Sequence, residues 1–565
     1  MEHIDSESMS SPMGIGGLQR QNVFERGIFY LLVLLTIFTL YRQTVSLAVF
    51  PIANATRWYS DESWVMEEAI SQIQHGVVTY PHARASTLQY SKGLLLGTTW
   101  LSAVLYGIPA VLAPLGSDIV FIGRIVSLVL SILTLCFLYY FLRRLGSPPI
   151  LGALAMLVVA TTRANFIASH CARPDILAGL IVLLVIGYFS IQRSKGFVPS
   201  SSRWWFSFGV TIMALAWTSS VHLLTLLGPL ALWIMFAFSA FKKPSYYLSA
   251  VLGAISLAAI LAIVYFLTTS GITFLGSTSH GLQFDFIIQE TPILRPFSRS
   301  VQLANLVIRL KLFASEAPGV LVLAGLDIIL LIWLKIKHRG IELFSATERF
   351  VFSSTAVVML SWLYLQIASE TYTAHILSVL VFAMCLLLAR LLPRIATGKM
   401  LAPIAALCGL ALGYIGMRDA ATAAVSGGLL SGNNRIAMVS IVQEIKADAR
   451  AHGISKPLVV VETPALHEIQ TDTGLEVMTD HFSGFRTSNA PLLDILKNQH
   501  VDYAVLYNSN RYPKNRYQLD EFFQTVTRSS DLIAKRSSPL FDMGISYFDS
   551  GDRAMDTLLL YRLRR

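Results

Sequence analysis

The chain has 565 residues, 54% of them hydrophobic and 14% charged, with a mean hydropathy of +0.58. Soluble domains carry about 25% charged residues, and single cores stop growing near ~250–300 residues, so a freely soluble enzyme is excluded and a bilayer is the fitting solvent. The net charge of +10 is not a nucleic-acid signature, because residues 430–565 carry equal numbers of basic and acidic side chains. The whole excess lies in the hydrophobic part, where basic loops report orientation.

Apolar runs long enough for a span of ~17–25 residues recur along the chain. They predict about 11 transmembrane helices at 27–50, 119–142, 148–169, 174–191, 204–222, 223–241, 245–269, 316–336, 349–368, 374–392 and 401–418. Residues 1–26 precede them as a cytoplasmic tail, and 27–50 is too long for a signal peptide and lacks a small-residue cleavage site. The run at 93–115 contains Gly93, Gly97, Gly107, Pro109 and Pro114 and reads as a segment lying along the membrane surface. With that run left out, Arg20, Arg26, Arg143, Arg144, Arg193, Lys195, Arg203, Lys242, Lys243, Lys335, Lys337, Arg339, Arg390, Arg394 and Lys399 all fall on one side. That side is the cytoplasm by the positive-inside bias. The opposite side carries two long connections, 51–118 and 270–315, and loops of that length usually serve function.

From 430 to 565 the composition becomes that of a soluble domain. Short β-branched runs at Leu458–Val461, Tyr503–Tyr507 and Thr557–Leu563 alternate with helical patterns at Ile436–Ala451 and Pro491–Gln499. The expected architecture is therefore an all-α polytopic membrane domain over 27–429, followed by a small extracytoplasmic α/β domain. The four cysteines, Cys136, Cys171, Cys385 and Cys408, lie in or beside the predicted spans, so neither a disulfide framework nor a thiolate metal site is implied.

Candidate chemistry gathers on the outer side. Asp61-Glu62 and Glu67-Glu68 open a stretch with helical periodicity, Trp64 to Ile73. The carboxylates complement a helix N-terminus, or one of them acts as general base toward a hydroxyl. His170-Cys171-Ala172-Arg173-Pro174-Asp175 joins two spans. Pro174 and Asp175 suit a helix start, while an Arg and an Asp entering an apolar run are costly and often mark a site. Arg84, Lys92, Arg124, Arg163, Arg295, Arg299, Arg309 and Lys311 complete the outer cations; they either snorkel to headgroups or bind phosphate. Asp327, in the middle of a span, reads as a packing residue. His222, His280 and His375 lack metal-motif spacing, and Tyr372 and His375, after Glu370, are candidate contacts to a polar substrate.

Four blocks resemble the polytopic GT-C glycosyltransferases, nearest to the protein O-mannosyltransferase and lipid A aminoarabinose transferase group. Ser60-Asp61-Glu62-Ser63-Trp64 is similar to the family's Asp-Glu motif after the first span. Tyr90-Ser91-Lys92-Gly93-Leu94 to Tyr106-Gly107 resembles its Lys-Pro-Pro-Leu segment and surface helix, without the Pro-Pro. Gly123-Arg124-Ile125-Val126-Ser127 through Arg143-Arg144-Leu145-Gly146 resembles its Ala-Arg-Leu-Pro-Ser span. Ala172-Arg173-Pro174-Asp175-Ile176-Leu177 is similar to its Arg-Pro-Asp-x-Leu. The resemblance covers roughly 27–192, loosely to about 392. A Lys-Gly pair common near the outer end of a later span is Ser219-Ser220 here, so any phosphate role of that lysine is lost or passes to Arg295 or Arg299.

The resemblance implies an inverting enzyme that moves a sugar from a polyprenyl-phosphate donor to a lipid, glycan or protein hydroxyl on the outer face. Asp61, with Glu62, would take the acceptor proton. Lys92 and Arg173, with Arg124, Arg295 and Arg299, would hold the leaving phosphate. Asp175 would fix Arg173 or a donor sugar hydroxyl, and 270–315 would close over the site. The outer loops contain no Asp-x-Asp pair, so no cofactor is expected, and metal independence is favoured over a bound divalent ion. The competing classes are a flippase of lipid-linked sugars and a non-catalytic membrane scaffold. Only the enzyme requires Asp61 and Asp175 to face one cavity with Lys92 or Arg173 beside them.

Overall fold

The computed structural model describes residues 23–49, 65–66, 69–70, 73, 100–114, 119–172, 174–216, 221–238, 243–268, 310–311, 313–314, 317–337, 344–368, 373–395, 401–461, 474–479, 494, 496–497, 500–508, 519–539 and 555–564. Asp61, Glu62, Lys92, Arg173, Arg295, Arg299 and Tyr372 lie outside these residues, as do nearly all of 51–99 and 270–309.

The membrane part is a helical bundle. Its helices are α1 (Val23–Val49), α2 (Ile119–Arg144), α3 (Pro149–Ala160), α4 (Arg163–Ser169), α5 (Asp175–Ser194), α6 (Ser202–Ala216), α7 (Val221–Ala237), α8 (Pro244–Thr268), α9 (Pro318–Lys337), α10 (Ala346–Ala368), α11 (Ala374–Ile395) and α12 (Leu401–Ala451). Each predicted span overlaps one of these helices or, at 148–169, the α3–α4 pair, although α6 ends at Ala216 and α12 runs on to Ala451. Among the described residues, four are long and apolar enough to cross a membrane: Val23–Thr44, Phe121–Arg144, Asp175–Ser194 and Ala374–Leu391. α3 and α4, bent by 70°, make a fifth if counted as one span. The chain is thus a multi-pass membrane protein, and the larger count of about 11 remains the sequence expectation.

Between α1 and α2 the described chain forms a short helical rod. A π-helical turn, Ala103–Gly107, is flanked by α-helical Trp100–Ser102 and Ile108–Leu112. At ~1.5 Å per residue these described residues are too few to span.

The bend between α3 and α4 has a local cause. The α3 helix ends at Thr161, whose hydroxyl bonds back to Leu157 O at 2.8 Å. Thr162 is extended and caps α4, its side-chain oxygen accepting from Asn165 N at 3.2 Å. A hydroxyl that satisfies the orphan amides of a new helix start favours interruption over continuation. The bend is clasped from both sides: Gln43 of α1 donates to Ala160 O at 3.0 Å, and Arg163 pairs with Asp419 of α12 through Nε–Oδ2 at 2.9 Å and Nη2–Oδ1 at 3.1 Å.

α12 is one continuous helix of 51 residues, so the composition change at 430 falls inside a helix and not in a linker. Its C-terminal part lies on a five-stranded sheet of order β2-β1-β3-β5-β4. The strands are β1 (Leu458–Val461), β2 (Glu476–Thr479), β3 (Tyr503–Asn508), β4 (Ser530–Pro539) and β5 (Met555–Leu563), with α13 (Leu519–Ser529) before β4. β1 pairs parallel with β2 and β3, while β5 runs antiparallel to β3 and β4. Both faces of β1 are covered, which explains its unbroken Leu-Val-Val-Val run. One face packs on Ile441, Ile445 and Ala449 of α12, and the other clusters with Leu496 and with Val526 of α13. Asp448 ties α12 to the sheet by accepting from Tyr503 Oη at 2.7 Å and from Arg562 Nη1 at 3.0 Å. Burial, with that bond to the Asp448 carboxylate, pushes the Tyr503 phenol up.

Asp327 sits in α9 at 3% exposure, with neither carboxyl oxygen partnered among the described residues. It faces α11 near Cys385.

Candidate functional site

Three helix N-termini meet at one end of the bundle. α5 starts at Asp175 and α11 at Ala374, and the two pack together so closely that a Cβ on Gly179 would stand 2.5 Å from Ala374 O. Only glycine admits that approach of the two backbones. Across the junction His375 Nε2 lies 3.0 Å from Asp175 Oδ1. A carboxylate accepts only, so the imidazole donates through Nε2. His375 is 2% exposed, whereas the Asp175 side chain keeps 20% exposure; the histidine is the buried anchor and the carboxylate the accessible partner.

The third N-terminus belongs to α2. A Cβ on Gly123 would stand 2.5 Å from the Ala172 Cβ and would meet the Met66 sulfur. The missing side chain lets the turn before Asp175 sit directly on α2. Met66 belongs to the described helical residues that follow Asp61-Glu62 in sequence. Both Met66 and Ala69 are fully buried, and Ala69 O lies against Gly107 of the short rod. Met66 and Ala69, the short rod, α2, Ala172, α5 and α11 therefore converge. Helix N-termini carry partial positive charge, so this end favours anions.

A buried polar chain locks the convergence. Tyr106 Oη is 2.9 Å from Ser127 Oγ, and Ser127 in turn donates to Cys171 O at 2.5 Å. One turn deeper, Ser131 Oγ donates to Asn165 Oδ1 at 3.1 Å. Arg124, on the same side of α2, is 3% exposed. His170 caps α4 at 9% exposure and faces the Arg124 charge. Burial of the ring pushes His170 down to about 4; a hydrogen bond to Phe166 opposes the shift and Arg124 reinforces it. Among the described residues no group of three or more His, Cys, Asp or Glu could hold a metal ion.

Of the residues named from sequence, the structure brings together Asp175, His375 and the helix bearing Arg124. The His375 ring turns to Asp175. Arg163, among the outer cations, belongs to the α12 clasp. The Tyr106–Ser127–Cys171 chain and the Asp175–His375 bond were not foreseen. The serine lay in plain view in the block beginning Gly123-Arg124, but no local pattern pairs a residue on α5 with one 200 positions away.

No family model matches the chain, and no curated protein matches it. Among solved structures it is similar to ArnT from Cupriavidus metallidurans bound to undecaprenyl phosphate, at 14% identity and a TM-score of 0.47. It is also similar to the same enzyme in the apo state, at 14% identity and a TM-score of 0.45. Both likenesses cover 94% of this chain and 97% of the other. ArnT is a lipid A aminoarabinose transferase of the GT-C class.

Proposed function

We propose that the chain is a membrane glycosyltransferase that moves a sugar from a polyprenyl-phosphate donor to a hydroxyl acceptor at the Asp175 end of the bundle. The observation that carries the reading is the accessible Asp175 carboxylate held by buried His375 where three helix N-termini meet. The Asp-Glu, Lys92 and Arg-Pro-Asp blocks that resemble the GT-C enzymes flank the same elements in sequence.

In the proposed step the acceptor oxygen attacks the anomeric carbon as Asp61, with Glu62, takes its proton. The bond from that carbon to the phosphate oxygen breaks, and polyprenyl phosphate leaves as an anion. The leaving group needs charge stabilisation and no proton. Lys92 and Arg173 supply it, with Arg295 and Arg299 as further cations, and the converging helix ends and Arg124 add positive potential. Asp175 holds Arg173 or a donor hydroxyl, Tyr372 contacts the polar substrate, and attack from the face opposite the phosphate inverts the centre. No metal enters the scheme. The basic ends of α2 and α5, Arg143-Arg144 and Arg193, support an orientation by the positive-inside bias in which they face the cytoplasm and the site and the C-terminal α/β unit lie outside a bacterial inner membrane.

The test is a transfer assay on the full chain in proteoliposomes, with undecaprenyl-phosphate-linked mannose, arabinose, aminoarabinose and galacturonate as donors and envelope lipids, glycans and peptides as acceptors. One donor should release undecaprenyl phosphate with an inverted glycoside as product. Movement of intact donor across the bilayer with no cleavage would assign the chain to the flippases instead.

A further inference from the structure

His170 carries a buried hydrogen-bonding atom that the reaction above leaves unused. Its Nδ1 lies 2.8 Å from Phe166 O and 2.8 Å from Ser169 Oγ. A backbone carbonyl only accepts, so Nδ1 bears the hydrogen and donates to it. Ser169 Oγ spends its own hydrogen on Phe166 O at 3.1 Å, which leaves that oxygen an acceptor too. The ring tautomer is thereby determined, and Nε2 of the neutral imidazole is a lone pair. That nitrogen is buried and has no donor among the described residues. A buried acceptor left unmatched costs about 1–3 kcal/mol, and such atoms in folded proteins call for an explanation in function or in bound solvent.

The ring cannot turn away to relieve the mismatch without losing its bond to Phe166 O. It lies 5.0 Å from the Phe166 ring at a tilt of 58°, and the next residue is pinned to α2 through Ser127 and Cys171 O. The position is five residues before Asp175 and within reach of the Arg124 charge. The surroundings restrict what could pair with Nε2. A phosphodiester has no hydrogen to donate. An ammonium would set a second positive charge against Arg124. A neutral hydroxyl meets both conditions.

We propose that His170 Nε2 accepts a hydrogen bond from a hydroxyl of the transferred sugar, making His170 a substrate-recognition residue for the saccharide and not for the phosphate. The inference rests on the glycosyltransferase reading above. It narrows the donor to sugars that present an unsubstituted hydroxyl at this position, and it separates sugar recognition in the 170 turn from phosphate recognition by Lys92 and Arg173.

The test compares binding of undecaprenyl phosphate with binding of its mannose, arabinose and galacturonate conjugates to the detergent-solubilised full chain. His170→Asn keeps a donor at the δ position for Phe166 O and removes the acceptor; His170→Gln restores an acceptor at the ε position. The wild type should bind at least one conjugate more tightly than undecaprenyl phosphate. His170→Asn should lose about tenfold of that preference with undecaprenyl phosphate binding unchanged, and His170→Gln should recover most of it. An unchanged preference in His170→Asn overturns the inference and assigns Nε2 to a buried water only. Equal loss for the bare lipid and the conjugates also overturns it, pointing to a structural role. Failure of the wild type to bind any of these lipids removes the glycosyltransferase reading itself.

Discussion

Asp175 and His375 lie 200 positions apart, yet Nε2 of the histidine stands 3.0 Å from the carboxylate across the α5–α11 junction. The pair joins two helix starts, and Gly179 permits the backbone contact that holds it. Removing the imidazole leaves a carboxylate without its anchor. His375→Leu should lower transfer by about 10- to 100-fold, since small misplacement at a reacting centre is costly. His375→Gln, still able to donate, should retain more activity. Initial rates on matched amounts of folded protein check both.

The close approach at Gly179 gives a second expectation. Gly179→Val sets branched carbons against Ala374 O, forcing α11 away from α5. Overpacking of a well-packed interior costs about 1–3 kcal/mol, so thermal unfolding in detergent should shift down and activity should fall with it. Gly325, where an added Cβ meets nothing within 4 Å, serves as the control: Gly325→Ala should leave both unchanged.

The clasp at the α3–α4 bend is a two-bond fork between Arg163 and Asp419. Lysine keeps the charge and loses the fork. Arg163→Lys should therefore destabilise the protein measurably, and Asp419→Ala by more, about 1–3 kcal/mol. Equal melting temperatures for the wild type and both variants would show that the fork holds nothing.

His170 also predicts an acid limb of stability. Its folded value of about 4 lies below the ordinary 6.5, so the unfolded chain binds more protons between the two. Stability should fall as pH drops from about 6.5 toward 4. His170→Asn should flatten that part of the profile, as read by unfolding temperature against pH.

Much of the bundle was legible in the sequence because span length and apolar composition are local properties. The strands at Leu458–Val461 and Tyr503–Tyr507 were also visible, as short apolar runs, and Leu458–Val461 and Tyr503–Leu506 are buried. β2 and β4 were not visible. Glu476-Val477-Met478-Thr479 is short and mixed, and Ser530–Pro539 is a polar edge strand whose partner, β5, supplies most of the apolar character. The change to soluble-domain composition at 430 was visible because apolar content is a local property, but the sequence did not show that one helix, Leu401–Ala451, runs through it. At the site, Asp175 stood out as an acid beside an apolar run. The anchoring by His375 and the Tyr106–Ser127–Cys171 chain depend on helices meeting in three dimensions, which periodicity along one helix does not record.

The most direct test of the central claim is turnover of the wild type, Asp61→Asn and Asp175→Asn with the donor that the panel identifies, in proteoliposomes of equal protein content. The account predicts sugar transfer with release of polyprenyl phosphate by the wild type. It predicts losses of at least about 100-fold in each variant, consistent with removal of a general base or of a group that positions the reacting centre, with folding intact. Undiminished transfer by Asp175→Asn, or no transfer from any polyprenyl-phosphate sugar by the wild type, would contradict it.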